Sequence, residues 1–258
     1  MITLKSVTFG YRAQPLIFDN FDWQVGSGEA WAVLGPSGCG KTTLLYLLAG
    51  LRQPDDGQVV VDGQVLDQPR PCTGLILQDY GLLSWATVKE NVSLGLRIRK
   101  FYGPDGRHAP REDDAPRNID RQTDYWIERL GLAEITAKFP AQISGGQRQR
   151  TAIARTLTLN PDLLLMDEPF ASLDAPTRET LQALVFELRA ESSLTTIIVT
   201  HSIEEAAVLG RHILVLGAPP HTRPVVLDNP EAGSATYRNS PAYTTMCSRL
   251  RTLLEPVV

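Results

Sequence analysis

Ala30-Trp31-Ala32-Val33-Leu34-Gly35-Pro36-Ser37-Gly38-Cys39-Gly40-Lys41-Thr42-Thr43-Leu44-Leu45 is the stretch that decides how this chain reads. The uninterrupted apolar run 30–34 is the pattern of a short buried strand, and the spacing of Leu44, Leu45, Leu47 and Leu48 is helical. Between them, residues 35–42 fit G-x-x-x-x-G-K-[ST], a loop whose backbone N–H groups turn inward around phosphate oxygens. The helix starting near Lys41 adds its positive end to that cradle. Lys41 is expected to reach the outer phosphates of a nucleotide and Thr42 to hold Mg²⁺. Gly35, Pro36, Ser37, Gly38, Cys39, Gly40 and Thr43 are the remaining candidate phosphate contacts. A glycine-rich turn arising by chance would lack the strand before it and the helix after it.

Working outward, Ile2, Leu4, Val7 and Phe9, then Phe21, Trp23 and Val25, predict two antiparallel strands with one buried face. Residues 58–61 and 75–77 predict further strands, with Asp62-Gly63 as a turn. Residues 88–132 read as helical, interrupted by a Pro/Gly-rich, densely charged segment over 102–121 that is expected to be an extended loop. A helix after Gly145-Gly146 should run to about Leu159, where Asn160-Pro161 stops it. Strands follow at 163–166 and 196–199 with a helix between them, and the last helix covers roughly 242–254. Strands separated by helices imply a parallel sheet covered on both faces. The expected class is α/β: a P-loop NTPase core with a mostly parallel sheet, an N-terminal antiparallel β-subdomain and an inserted helical subdomain. One nucleotide-binding domain is expected over 1–258, with its core at about 1–85 and 160–240 and the helical lobe at about 86–159.

Composition narrows the function. A chain of 258 residues can bury a full-sized core without staples, and 43% hydrophobic with 21% charged residues argues against disorder. A net charge of -4 does not suit a surface that neutralises phosphate backbones, so no nucleic-acid partner is expected. Cys39, Cys72 and Cys247 are too few and too scattered for a disulfide framework or a zinc site. The longest apolar stretch, 44–51, is far short of the roughly 20 residues that span a bilayer. The opening Met1-Ile2-Thr3-Leu4-Lys5 has no signal-peptide layout. Work at a membrane would need a separate membrane protein.

Residues 163–167 are a buried strand that delivers Asp167 at its C-terminal end, where parallel sheets put ligands. Asp167 is the expected Mg²⁺ carboxylate, and Glu168 can poise a water for attack on the terminal phosphate. Beside a phosphate loop this pair implies hydrolysis as well as binding. Further on, Ser144-Gly145-Gly146-Gln147 opens a helix and makes a second anion-binding terminus, although a plain helix cap has the same letters.

These motifs resemble the ATP-binding-cassette family, whose signature is Leu-Ser-Gly-Gly-Gln; Ile143 takes the leading position here. The resemblance covers nearly the whole chain. It implies that Tyr11 stacks on adenine, that Gln78 reaches the metal and the water, and that Ser172-Leu173-Asp174 forms a loop which brings Asp174 to the nucleotide. It implies that His201 contacts the terminal phosphate. It also implies that ATP lies between the phosphate loop of one subunit and Ser144, Gly145, Gly146 and Gln147 of a second, in a head-to-tail dimer.

Gly81-Leu82-Leu83-Ser84-Trp85 and Ser240-Pro241-Ala242-Tyr243 most resemble the importer ATPases for nitrate, sulfonates and taurine. That resemblance implies transmembrane permease subunits, an extracytoplasmic solute-binding protein acting through them, and a peripheral place on the cytoplasmic face of the cell membrane. The large apolar residues of 80–88 are the expected permease contact. A soluble mechanochemical ATPase of DNA repair or translation uses the same cassette, but neither heptads nor a second phosphate loop is visible. Arg211-His212 departs from the family's common Asp-Arg pair. Cys39 sits where a helix terminus can lower a thiol pKa, which predicts that alkylation blocks ATP binding.

Overall fold

The computed structural model describes residues 1–102, 118–171, 173–234 and 236–255. Two compact units divide the chain: 1–69, 165–168 and 185–258 form the first, and 70–164 with 169–184 form the second.

The first unit opens with β1 (Ile2–Gly10) and β2 (Leu16–Val25), paired antiparallel. Buried Ile2 and Leu4 are followed by buried Val7 and Phe9, one step out of strict alternation. A bulge absorbs the step: the register slips between Leu4 and Val7, and Ser6 takes a φ of 48°. The apolar residues on either side of it thereby stay on one face. Next come β3 (Ala30–Leu34), buried along its whole length, and α1 (Lys41–Leu48), which buries Leu44, Leu45, Leu47 and Leu48. β4 (Asp56–Val61) pairs with β1, and β5 (Gln64–Val65) folds back on β4. Asp62 and Gly63 make that reversal at φ 50° and 78°, the left-handed pair a two-residue hairpin favours. The sheet order is β2-β1-β4-β5.

The second unit contains β6 (Thr73–Ile76), α2 (Val88–Tyr102), α3 (Ile119–Arg129), α4 (Gly145–Leu157), the first two residues of β7 (Leu163–Asp167) and the start of α5 (Ala175–Glu191). Its boundary falls at 69/70, ahead of the helices, because β6 packs against α4. Val88, Val92, Leu96, Ile127 and Ile153 are buried within it. Asn91 is fully buried there: its amide donates to the Leu83, Ala86 and Thr87 carbonyls at 3.1, 3.0 and 3.0 Å and accepts from the Leu83 N–H at 2.8 Å. One side chain thus satisfies a turn of irregular backbone. Tyr102 closes α2 and residues 119–121 open α3, so both ends of the segment predicted as a loop are helical; residues 103–117 of it lie outside the described residues.

The chain returns to the first unit through the rest of β7 and α5, then β8 (Thr195–Thr200), α6 (Ile203–Leu209), β9 (His212–Val215), β10 (Val225–Asp228) and α7 (Pro241–Leu254). The strands of this unit run in the order β10-β9-β3-β8-β7. β3 is parallel to β8 and to β9, and β10 is antiparallel to β9. Central strands of such a sheet are apolar on both faces, which is why 30–34 and 163–166 show no alternation. Ala206, Ala207, Cys247 and Leu250 of α6 and α7 pack in one cluster with Ala32 and Leu34 of β3. Burying Leu250 alone contributes about 2 kcal/mol. Ser240 starts α7, its hydroxyl accepting the Tyr243 N–H at 3.2 Å ahead of Pro241 at the first helical position. Among the described residues no helix is long and apolar enough to cross a membrane.

Candidate functional site

The C-terminal ends of β3, β7 and β8 carry, in turn, the loop 35–40, the Asp167-Glu168 pair and His201. Gly40 has a φ of 104°, and a Cβ there would collide with Ile17; one at Gly35 would collide with the Leu216 carbonyl. Only glycine lets the loop curl this tightly between its neighbours. Lys41 is buried, and its ammonium donates to the Gly35 and Pro36 carbonyls at 2.8 and 2.9 Å. Two neutral carbonyls hold that charge in place without neutralising it.

Thr42 Oγ1 donates to Asp167 Oδ2 at 2.9 Å. Burial pushes the Asp167 carboxyl above the usual carboxylate range, the negative charge of Glu168 pushes it further, and the Thr42 hydrogen bond and Lys41 pull it back. A hydroxyl beside a buried carboxylate is a hard-oxygen donor set that suits Mg²⁺, an ion that takes one or two carboxylates and completes its shell with water and phosphate. Thr42 and Asp167 are brought together as such a pair, and among the described residues there is no group of three or more His, Cys, Asp or Glu that could hold a metal.

Glu168 holds a φ of 44°, a left-handed conformation unusual for its type, while its N–H donates to the Val199 carbonyl at 2.9 Å. Its Oε2 lies 3.0 Å from Nδ1 of His201; the histidine side chain is 56% exposed and the glutamate 14%. His201 is held from both sides. Thr200 Oγ1 donates to Glu205 Oε2 at 2.7 Å and accepts from the Ser202 N–H at 3.0 Å, and the Ser202 hydroxyl caps α6 by accepting the Glu205 N–H at 3.2 Å. The sequence reading missed Thr200 and Glu205, although Ser202-x-x-Glu205 is the spacing of a helix-opening box. Tyr11 follows β1, its ring edge-on to Phe9 and its hydroxyl 3.3 Å from Thr43 Oγ1 at the start of α1.

Cys39 departs from expectation. It is 2% exposed, and burial pushes its thiol up, against a smaller lowering by Lys41. The predicted activation by a helix terminus is therefore overturned: desolvation of the thiolate outweighs the terminus.

The second unit carries the other predicted residues. Gln78 is exposed just beyond β6. The segment after it is tied to α4, because Arg155 donates to the Tyr80 and Gly81 carbonyls at 2.9 and 2.6 Å. Ser144 and Gln147 form a reciprocal cap: Ser144 Oγ accepts the Gln147 N–H at 3.3 Å, and Gln147 Oε1 accepts the Ser144 N–H at 2.9 Å. Gly145 and Gly146 follow in the first turn of α4. The Asp174 carboxylate accepts from the Thr177 N–H and hydroxyl at 2.9 and 3.1 Å, which holds it below the usual range. Ser172 lies outside the described residues. Leu82 and Leu83 are half-buried, and Trp85 is 75% exposed.

A strand-loop-helix phosphate cradle, with a buried carboxylate, a second carboxylate and a histidine at neighbouring strand ends, defines a P-loop nucleoside triphosphatase. The chain belongs to the ABC transporter family, whose sequence profile matches residues 18–171, and it is an ATPase. It is 40% identical over 216 residues to the taurine import ATP-binding protein TauB of Pseudomonas aeruginosa, covering 83% of this chain and 77% of that one. It is 36% identical over 213 residues to the aliphatic sulfonates import ATP-binding protein SsuB of Bacillus cereus, covering 83% and 78%. Among solved structures it resembles the ATP-binding cassette MJ0796, in a dimeric post-hydrolysis state bound to ADP and Pi, with a TM-score of 0.74, 28% identity, and 88% and 98% of the two chains covered.

Proposed function

We propose that this chain is the ATP-hydrolysing subunit of an importer for a small anionic solute of the nitrate, sulfonate or taurine type. The observation that carries the chemistry is the Glu168–His201 pair at 3.0 Å, next to the Thr42–Asp167 hydrogen bond at 2.9 Å. The importer reading draws on the relatives named as taurine and sulfonate import ATP-binding proteins.

In this reading the loop 35–40 and the N-terminus of α1 bind the phosphates, with Lys41 moving its charge from two carbonyls to phosphate oxygens. Thr42 and Asp167 hold Mg²⁺, which neutralises charge on the transferring phosphoryl group when bound. Glu168 accepts a proton from the attacking water, and His201 orients that carboxylate and donates toward the terminal phosphate. Gln78 senses metal and water, and Tyr11 supports the adenine. A second copy contributes Ser144, Gly145, Gly146 and Gln147, and Asp174 lies at the joint; the dimeric cassette MJ0796 supports this arrangement. Permease subunits are the receivers, with exposed Trp85 in the contact, and a solute-binding protein acts through them from the other side. The chain then works as a peripheral subunit on the cytoplasmic face of the membrane.

The test has two arms. Purified protein must release phosphate from ATP in a Mg²⁺-dependent way that Lys41→Ala abolishes. Tagged protein retrieved from detergent-solubilised native membranes must bring a polytopic permease with it; ribosomal or DNA-repair chains in its place would leave the ATPase intact and end the transport reading.

A further inference from the structure

The segment between β9 and β10 sets His221 against the phosphate loop. Its backbone is zipped to β2, the His221 N–H donating to the Ile17 carbonyl at 2.8 Å and the Asp19 N–H donating to the His221 carbonyl at 3.0 Å. Its ring, 7% exposed, packs 5.6 Å from that of Phe18. From there Nε2 lies 2.7 Å from the carbonyl oxygen of Cys39. A carbonyl can only accept, so Nε2 carries the proton and donates.

The Cys39 carbonyl and the Gly40 N–H belong to one peptide plane, and a trans peptide points them in opposite directions. That carbonyl lies one residue ahead of the α1 ladder, which begins with the Leu44 N–H donating to Gly40 at 2.8 Å. Gly40, at a φ of 104°, has no side chain to resist a swing of the plane. A donor gripping the carbonyl stops the swing, and it polarises the amide so that the N–H on its other end becomes a stronger donor. The strand segment that anchors His221 also backs the loop, since Ile17 lies where a Gly40 side chain would be.

We propose that His221 is a positioning residue for the phosphate loop: by holding the Cys39 carbonyl, it aims the Gly40 N–H at the phosphates of the nucleotide. The inference rests on residues 35–42 being the phosphate site.

Calorimetric titration of the full chain with ATP and Mg²⁺ tests it, with His221→Phe and His221→Gln beside the wild type. Phenylalanine keeps a ring against Phe18 but has no N–H; glutamine restores an amide donor of similar reach. The phenylalanine variant is expected to bind ATP about tenfold more weakly and the glutamine variant within about threefold of wild type. The lost buried hydrogen bond should lower the thermal midpoint of the first and the glutamine donor should recover most of it, and the Gly40 amide resonance should move in the first and return in the second. Wild-type affinity in His221→Phe, or no recovery in His221→Gln, overturns the proposal. Without any variant, ¹⁵N spectra of the native imidazole must show Nε2 protonated, and a bare Nε2 overturns it equally. Lys41→Ala separates the premise: if that change leaves ATP affinity intact, the phosphate site itself is misassigned.

Discussion

Glu168 reaches His201 across 3.0 Å from a backbone held at a φ of 44°. A residue with a Cβ in this conformation carries of order 1 kcal/mol of strain, and the Val199 carbonyl that accepts the Glu168 N–H holds the backbone there. Glu168→Gly is therefore expected to be more stable by about 1 kcal/mol while losing about 10²-fold or more in phosphate release. Thermal unfolding and a phosphate assay on one preparation check this. Loss of stability together with turnover would show that the conformation is unstrained.

Asp167 predicts a pH signature. Burial raises its carboxyl above the unfolded value, so the folded chain takes up this proton at higher pH than the unfolded chain. The resulting stabilisation is complete below the unfolded value and is lost as pH rises through the folded one. Above that, the native state carries a buried charge. In chelator, Asp167→Asn should be about 1 kcal/mol more stable than wild type near neutral pH. The difference should close as pH falls toward the ordinary carboxylate range. Unfolding midpoints of both proteins between about pH 4.5 and about pH 7.5 measure it, and a gap that does not change with pH would trace the effect to packing.

Gly146 and Thr177 are coupled by contact. A Cβ at Gly146 would stand 2.5 Å from Thr177 Cγ2. Gly146→Ala should cost about 2 kcal/mol by overpacking. Thr177→Ser removes the methyl yet keeps the hydroxyl that donates to Asp174 at 3.1 Å, so the double variant should recover most of the loss. Urea unfolding of the four proteins closes the cycle, and simple additivity would rule out the coupling.

Thiol labelling should spare the site. Cys72 is exposed whereas Cys39 is buried with its thiol pushed up. One equivalent of a maleimide at neutral pH is expected to mark Cys72 and leave ATP affinity unchanged. Peptide mapping finding Cys39 labelled in the native protein would contradict the burial.

The phosphate loop and its flanks were legible because strand, glycines, lysine and helix are contiguous and each follows a local rule. Asp167 and His201 could be placed from the apolar strands that carry them to one edge of the sheet. Contacts between distant segments were not legible. His221 follows two prolines in a stretch without periodicity, and its partner is a main-chain carbonyl, which leaves no side-chain pattern to read. The β1 bulge hid as two alternations out of phase, and the Cys39 environment was misread because helix-terminus chemistry is visible in sequence while burial is not. Helix ends also moved: Tyr102 and residues 119–121 proved helical although charge and glycine nearby suggested a loop.

Trp85 gives the molecule an optical property. Of the four tryptophans, Trp23 and Trp31 are 3% and 5% exposed, Trp126 is half-buried, and Trp85 stands 75% in water. The red-shifted, readily quenched part of the intrinsic emission therefore belongs to one known side chain. Whatever covers that indole, in solution or in a detergent-solubilised assembly, will move its spectrum to the blue and shield it from iodide, with no label attached.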